Sequence, residues 1–270
     1  TNRTRAYRES IRGLALHRQS SHPNQHTHIL EIGPGPAAIL THMYLDAAKH
    51  TTHATLIERN EKSAAAASQS LSLKPHAMVQ GYSTDLHTSA QARSSLPPHG
   101  ADVIISEILG NIASSEGITQ ILHQAFEDGL IDSHTLAAPQ FAATLWIPTD
   151  ITTFKTPHNT TLYWGRKIVY SSRQSTAPHL AESWNIWEAH TLTPHRKTLD
   201  AQRTQTRTNT VTVTHKGRFN SITLGIWVRV GDRGPAPTHS RPLRSNNPLP
   251  SDLETICPPL AELLHSRGLS

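Results

Sequence analysis

The chain has 270 residues, 36% of them apolar and 17% charged, which fits a globular protein with room for two small domains or one large one. Its single cysteine, Cys257, excludes an internal disulfide framework and fits a reducing compartment, so a cytoplasmic location is expected. The net charge of +5 is uneven, with 10 Lys/Arg against 12 Asp/Glu through Ile147 and 15 against 8 beyond it; the basic residues of the later half are scattered and Phe and Tyr are few, which argues against a nucleic-acid partner.

The chain begins at Thr1 rather than methionine, so a trimmed N-terminal segment is expected, and no secretory signal is evident. No run of about 18 apolar residues predicts a membrane span. His22, His26 and His28 are the densest histidine group, but no Cys/His zinc spacing accompanies them, so a polar loop is expected there and no metal. His28-Ile-Leu-Glu-Ile-Gly33 reads as a buried strand running into a turn, and Ala37 to Lys49 as a helix. Ala54 to Glu58 predicts a second strand, Glu61 to Leu73 an alanine-rich helix, and His76 to Gln80 a third strand followed by a loop. Asp102 to Ser106 predicts a fourth strand, Gly117 to Phe126 a helix, and Leu136 to Ile147 a closing extended stretch. Alternation of this kind predicts an α/β fold, a Rossmann-like, doubly wound parallel sheet over residues 1–147. Beyond Pro148 β-branched residues take over. Leu162 to Trp164, Lys167 to Tyr170, Thr208 to Thr214 and Ile222 to Val230 read as strands, so residues 148–270 are expected to form a mostly β, barrel-like domain.

The turn Ile32-Gly33-Pro34-Gly35-Pro36-Ala37 follows the first strand and opens a helix. Gly33 and Gly35 allow a ligand close to the backbone, as dinucleotide folds do. Pro34 and Pro36 lack N–H groups, which speaks against a phosphate cradle. Glu58, at the end of the second strand, stands where an acid accepts the two hydroxyls of an adenosyl ribose. Asp85 and Leu86, after the third strand, fit an adenine amino group and ring. Together these favour S-adenosylmethionine over a nicotinamide cofactor. Taken alone, Glu58 also reads as a strand cap and Asp85 as a turn former.

The most informative stretch is Ser106-Glu107-Ile-Leu-Gly-Asn-Ile-Ala-Ser-Ser-Glu116, an apolar strand ending at one carboxylate with a second nine residues on. Paired carboxylates match the planar donor fork of a guanidinium. The stretch resembles the double-glutamate loop of the protein arginine methyltransferases, and its Ile-Leu-Gly is nearest the branch that makes symmetric dimethylarginine. Arg3-Thr-Arg-Ala-Tyr7-Arg8 is similar to the segment before that family's cofactor domain, Leu136 to Pro148 to its crossing into a β-barrel, and Phe219 to Trp227 to a barrel strand pair around Gly225.

That resemblance implies a class I S-adenosylmethionine-dependent enzyme methylating arginine in a protein, a peptide or a free small molecule. It assigns catalysis to Glu107 and Glu116 and cofactor contacts to Tyr7, Arg12, Glu31, Gly33, Gly35, Glu58, Asp85, Leu86 and Glu107. Substrate contacts fall to Glu107, Glu116 and Asp252. Three departures widen the acceptor class: Ser251-Asp252-Leu253 stands where the family has an aromatic loop, no helical dimerisation arm is visible, and only Tyr7 is left of an N-terminal aromatic motif. Without the arm the oligomeric state stays open. Two alternatives remain, an inactive scaffold on the same fold and a nucleic-acid methyltransferase; the latter lacks the Asn-Pro-Pro-aromatic loop that base methylation uses.

Overall fold

The computed structural model describes residues 2–48, 51–110, 112–150, 160–163, 166–169, 179–202, 204–219, 221–229 and 236–237. Its elements in chain order are α1 (Asn2–Ser21), β1 (Thr27–Ile32), α2 (Ile39–Ala47), β2 (Thr52–Glu58), α3 (Glu61–Ser70), β3 (His76–Gln80), α4 (Leu86–Ser94), β4 (Val103–Ser106) and α5 (Ile118–Glu127). There follow β5 (Leu136–Ala138), β6 (Phe141–Thr149), β7 (Thr160–Tyr163), β8 (Arg166–Val169), β9 (Asn185–Thr191), α6 (Arg196–Ala201), β10 (Ser221–Arg229) and β11 (Ala236–Pro237). The chain divides into two compact units. The first takes up the described residues of Thr1–Ala142, Ala189–Thr206 and Val228–Ala236, the second those of Ala143–Glu188 and Arg207–Trp227.

The first unit holds a parallel sheet in the order β3-β2-β1-β4-β5. Its central strands are apolar on both faces, as a sheet covered by helices requires. Ile29, Leu30, Leu56, Ile57, Val103, Ile104 and Ile105 are all buried. The chain leaves β1 towards β2 and leaves β4 towards β5, so the order reverses between these two neighbours. Ligands of open α/β sheets bind at such a reversal, beyond the strands' carboxyl ends.

Helix α1 buries Tyr7, Ile11, Leu14 and Ala15, a spacing that puts them on one face. Two contacts fix its direction. Tyr7 Oη donates to the Ser106 carbonyl at 3.3 Å, at the carboxyl end of β4. Arg18 Nη2 donates to Asp102 Oδ1 at 2.6 Å, at the strand's amino end. The helix therefore runs antiparallel to β4; its rise from Tyr7 to Arg18 is roughly 16 Å and the strand from Asp102 to Ser106 roughly 13 Å.

The later strands form antiparallel β structure, a four-stranded sheet in the order β11-β10-β6-β9 and the antiparallel pair β7-β8. Thr149 on β6 bonds Thr223 on β10 through their hydroxyls at 2.8 Å. The expected α/β fold with a separate β region is what the chain adopts.

Several expected elements differ in detail. The closing stretch from Leu136 is two strands, β5 and β6, separated at Pro139, which has no N–H to carry a ladder. The expected loop after β3 contains α4, capped by Asp85. The expected strand Thr208–Thr214 has no regular secondary structure and pairs in no ladder. There the backbone is held by single bonds, such as Asn209 Nδ2 to the Ile186 carbonyl at 3.0 Å and Thr214 N–H to the Leu180 carbonyl at 2.9 Å. α1, β9, α6 and β11 were not expected.

Candidate active site

Three of the expected residues converge on the turn between β1 and α2. Gly33 (φ 72°) and Gly35 (φ 62°) both occupy the left-handed region, where glycine carries no Cβ penalty. A Cβ on Gly33 would lie 2.9 Å from Ile108 Cγ2, so the turn passes close to the segment that follows β4. Glu58, 8% exposed at the end of β2, accepts the Gly35 N–H on Oε2 at 3.1 Å and the Asn60 N–H on Oε1 at 2.9 Å. A carboxylate offers about four acceptor sites, so two remain for a ligand's hydroxyls.

Glu31, one residue before the end of β1, is fully buried and faces inward to α2. Its Oε2 accepts the Thr41 N–H at 3.0 Å and the Thr41 hydroxyl. Burial pushes its carboxyl up to about 7 against the pull of the Thr41 bonds, and Glu58 adds to the rise. Thr41 was not among the expected residues. The sequence offered one hint, a helix start at Ala37-Ala38 with no Ser, Thr, Asp or Asn to cap it.

Glu107 is half-buried immediately after β4, at the sheet's reversal point. The segment after it doubles back: a Cβ on Gly110 would lie 2.0 Å from Ser115 Oγ and 3.2 Å from Glu116 Cγ. Ser115 N–H donates to the Ile112 carbonyl at 2.9 Å, and Gly117 N–H to that of Ser114 at 2.8 Å. Glu116 is exposed and packs against a residue three positions beyond Glu107, whose Cα lies at most about 11 Å from that of Glu107 by chain length.

Other expected residues sit further out. Asp85 is exposed and caps α4, accepting the His87 N–H at 3.3 Å. Leu86, the first residue of α4, is 76% exposed, with its side chain open to a ligand ring. Tyr7 is 1% exposed and reaches the edge where Glu107 begins its loop. Arg12 is exposed in an open groove of about 650 Å³ between α1 and α2, with Arg8, Leu16, Ile39 and Met43. Asp252 lies outside the described residues.

The opposite edge of the sheet carries a polar cluster. Asp102 accepts the Arg18 guanidinium, the His28 N–H at 2.8 Å and, on Oδ1, a contact from His99 Nε2 at 3.4 Å. His28 and His53 are register partners on β1 and β2, with ring centroids 5.9 Å apart. Their Nδ1 atoms are buried without a hydrogen-bond partner among the described residues. No group of three or more His, Cys, Asp or Glu among the described residues is arranged to hold a metal ion. None of the described helices is long and apolar enough to cross a membrane.

The sequence matches no protein-family model and none of the curated proteins. Solved structures do resemble the fold. One is the Trypanosoma brucei PRMT1 enzyme–prozyme heterotetrameric complex with AdoHcy, at 13% identity and a TM-score of 0.51, covering 72% of this chain and 60% of that one. Another is the uniquely open Arabidopsis thaliana protein arginine methyltransferase 10, at 19% identity and a TM-score of 0.42, covering 56% of this chain and 38% of that one. The chain thus spans less than two thirds of either. At such identity the likeness speaks to architecture: the chain has a methyltransferase fold of the protein arginine methyltransferase kind, a Rossmann-like parallel sheet and separate antiparallel β structure.

Proposed function

We propose that this protein is an S-adenosylmethionine-dependent N-methyltransferase acting on a guanidinium group, that of arginine in a protein or peptide or of a free arginine-like molecule. The observation that carries the reading is the placement of two carboxylates at one sheet edge. Glu58 ends β2 beside the glycine turn, and Glu107 follows β4 at the reversal point. The fit to the cofactor rests on this chain's own residues: left-handed glycines leave room at the turn, and Glu58 keeps acceptor capacity for a ribose.

Bound adenosylmethionine would supply an electrophilic methyl group on its sulfonium. The protein's part is to orient the acceptor. A guanidinium stays protonated at neutral pH, with a pKa above about 12, and its lone pair is delocalised. Glu107 and Glu116 are assigned to bind its N–H groups, concentrating positive charge on the nitrogens they face and freeing the third to react. The methylated nitrogen sheds one proton, so no strong base is required beforehand. Tyr7 and Ser106 close the edge from which Glu107 projects.

The test is mass spectrometry after incubation with adenosylmethionine and either free arginine or an arginine-rich peptide. A gain of one methyl group or more is expected, removed by Glu107→Gln and by Glu116→Gln, with cofactor binding retained in Glu116→Gln. Binding without transfer to either acceptor would refute the guanidinium assignment, and no cofactor binding would favour the scaffold reading.

A further inference from the structure

Helix α2 begins without a cap of its own. Ala38 holds the N-cap place in the left-handed region (φ 41°, ψ 45°) and contributes no side-chain hydrogen bond. Alanine is among the poorest residues at that place, and the first N–H groups of a helix need acceptors. Here the acceptor comes from the neighbouring strand, where the buried Glu31 carboxylate takes both the N–H and the hydroxyl of Thr41. Thr41 is itself 0% exposed, so water cannot substitute.

The stretch this contact closes is conformationally costly. Gly33, Gly35 and Ala38 all have positive φ within six residues, and Ala38 is not a glycine. Such a backbone persists only when its surroundings over-determine it. Three ties do so: Gly33 N–H to the Ile57 carbonyl at 2.9 Å, Gly35 N–H to Glu58, and Thr41 to Glu31. Of these ties to neighbouring strands the first two hold the turn's entry and the third its exit, where local backbone bonds add Ala38 N–H to the Gly35 carbonyl at 3.4 Å and His42 N–H to the Ala38 carbonyl at 3.0 Å.

We propose that Glu31 and Thr41 are positioning residues, a strand carboxylate and its helix partner that cap α2 from outside and thereby fix the turn on which cofactor affinity depends. The proposal rests on the reading of that turn as the cofactor site. It gives Glu31 a part played through Thr41 rather than by touching the ligand.

The cap is sensitive to protonation near neutral pH. Leu56 on β2 and Ile105 on β4, its register partners, are apolar, and Thr41 faces it from α2; the charged group that acts on it is Glu58. An ionised carboxylate is the stronger acceptor. The cap therefore tightens as pH rises through about 7.

The experiment uses the full chain with Thr41→Val, Thr41→Ser and Glu31→Gln. Binding of S-adenosylhomocysteine is measured by calorimetry from about pH 6 to about pH 8, and amide exchange across residues 33–41 is measured without ligand. Wild-type affinity is expected to rise with pH. Thr41→Val should weaken it about tenfold and move the midpoint to higher pH, because the ionised form loses a donor. Thr41→Ser should restore both, and Glu31→Gln should flatten the profile. Exchange across the turn should quicken about tenfold in Thr41→Val. The proposal fails if Thr41→Val keeps wild-type exchange and midpoint, or if Thr41→Ser behaves like it. A wild-type chain that binds no cofactor sinks the functional reading instead, while the exchange data still decide whether the cap exists.

Discussion

Asp102→Ala removes in one step the acceptor for the Arg18 guanidinium and for the His28 N–H. The side chains of Asp102 and Arg18 are 6% and 15% exposed, so this pair is not discounted as a surface contact. A charge-assisted bond contributes about 1.5–3 kcal/mol, and an orphaned buried donor costs about 1–3. The expected loss is therefore roughly 3–5 kcal/mol, in line with breaking a buried pair. Arg18→Met leaves the His28 bond in place and should cost about 2 kcal/mol less. In a double-mutant cycle the two changes together should fall short of additivity by about 2 kcal/mol. Urea unfolding followed by helical circular dichroism is the assay, because every described helix lies in the first unit. A coupling under about 0.5 kcal/mol would show that the two side chains do not hold each other, and that α1 is kept on the sheet by its apolar face alone.

Gly33→Ala should lose about 1–2 kcal/mol of stability, and should lose as much again in an Ile108→Ala background that removes the contacted Cγ2, since the cost lies in the left-handed backbone more than in the contact; no loss in that background in thermal unfolding would reverse that ranking. His28 and His53 have pKa values lowered from 6.5, chiefly by burial, so the unfolded chain takes up protons before the folded one does. Their contribution to stability is complete above about 6.5 and is lost as pH falls below it. His53→Gln should therefore lessen the drop in melting temperature between about pH 6.5 and pH 5, and an unchanged drop would place the titration elsewhere.

Much of the parallel sheet was legible because its strands are short apolar runs bounded by turn residues. His76 to Gln80 was read to the residue, and β1, β2 and β4 within two. Helix α1 was not expected: Tyr7, Ile11, Leu14 and Ala15 fall at helical spacing, yet its polar composition and lack of a start signal hid it. α4 was hidden for another reason: it is made of Ser, Thr, His and Gln with little apolar periodicity, and only Asp85 at its N-cap announces it. Thr208 to Thr214 erred the other way. Alternating Thr and Val has the β propensity of a strand, but pairing is decided by which neighbour is available, and a propensity cannot see that. Of the proposed site residues, the places of Gly33, Glu58 and Glu107 in the fold were legible because each sits at the end of a recognisable strand. The Glu31–Thr41 bond was not, since it joins a residue on a strand to one on a helix at a separation that no local pattern encodes.

The two ends of β1 carry buried ionisable groups whose effects on stability run against each other. Glu31, near the carboxyl end, holds its proton in the folded chain up to about pH 7, while the unfolded chain releases it near 4.5. Stability from this group is thus greatest at acid pH and falls as pH rises through that window, in all on the order of 3 kcal/mol. His28, near the amino end, acts in the opposite sense below 6.5. Between about pH 5 and pH 6.5 the two slopes offset, so a flat wild-type curve there is no sign that nothing titrates. Glu31→Gln removes the falling component and should leave a curve that climbs with pH until the histidines are neutral. The cost of keeping a carboxylate in the interior is borne where the glycine turn must be held, and the same charge that weakens the fold is the one that caps α2.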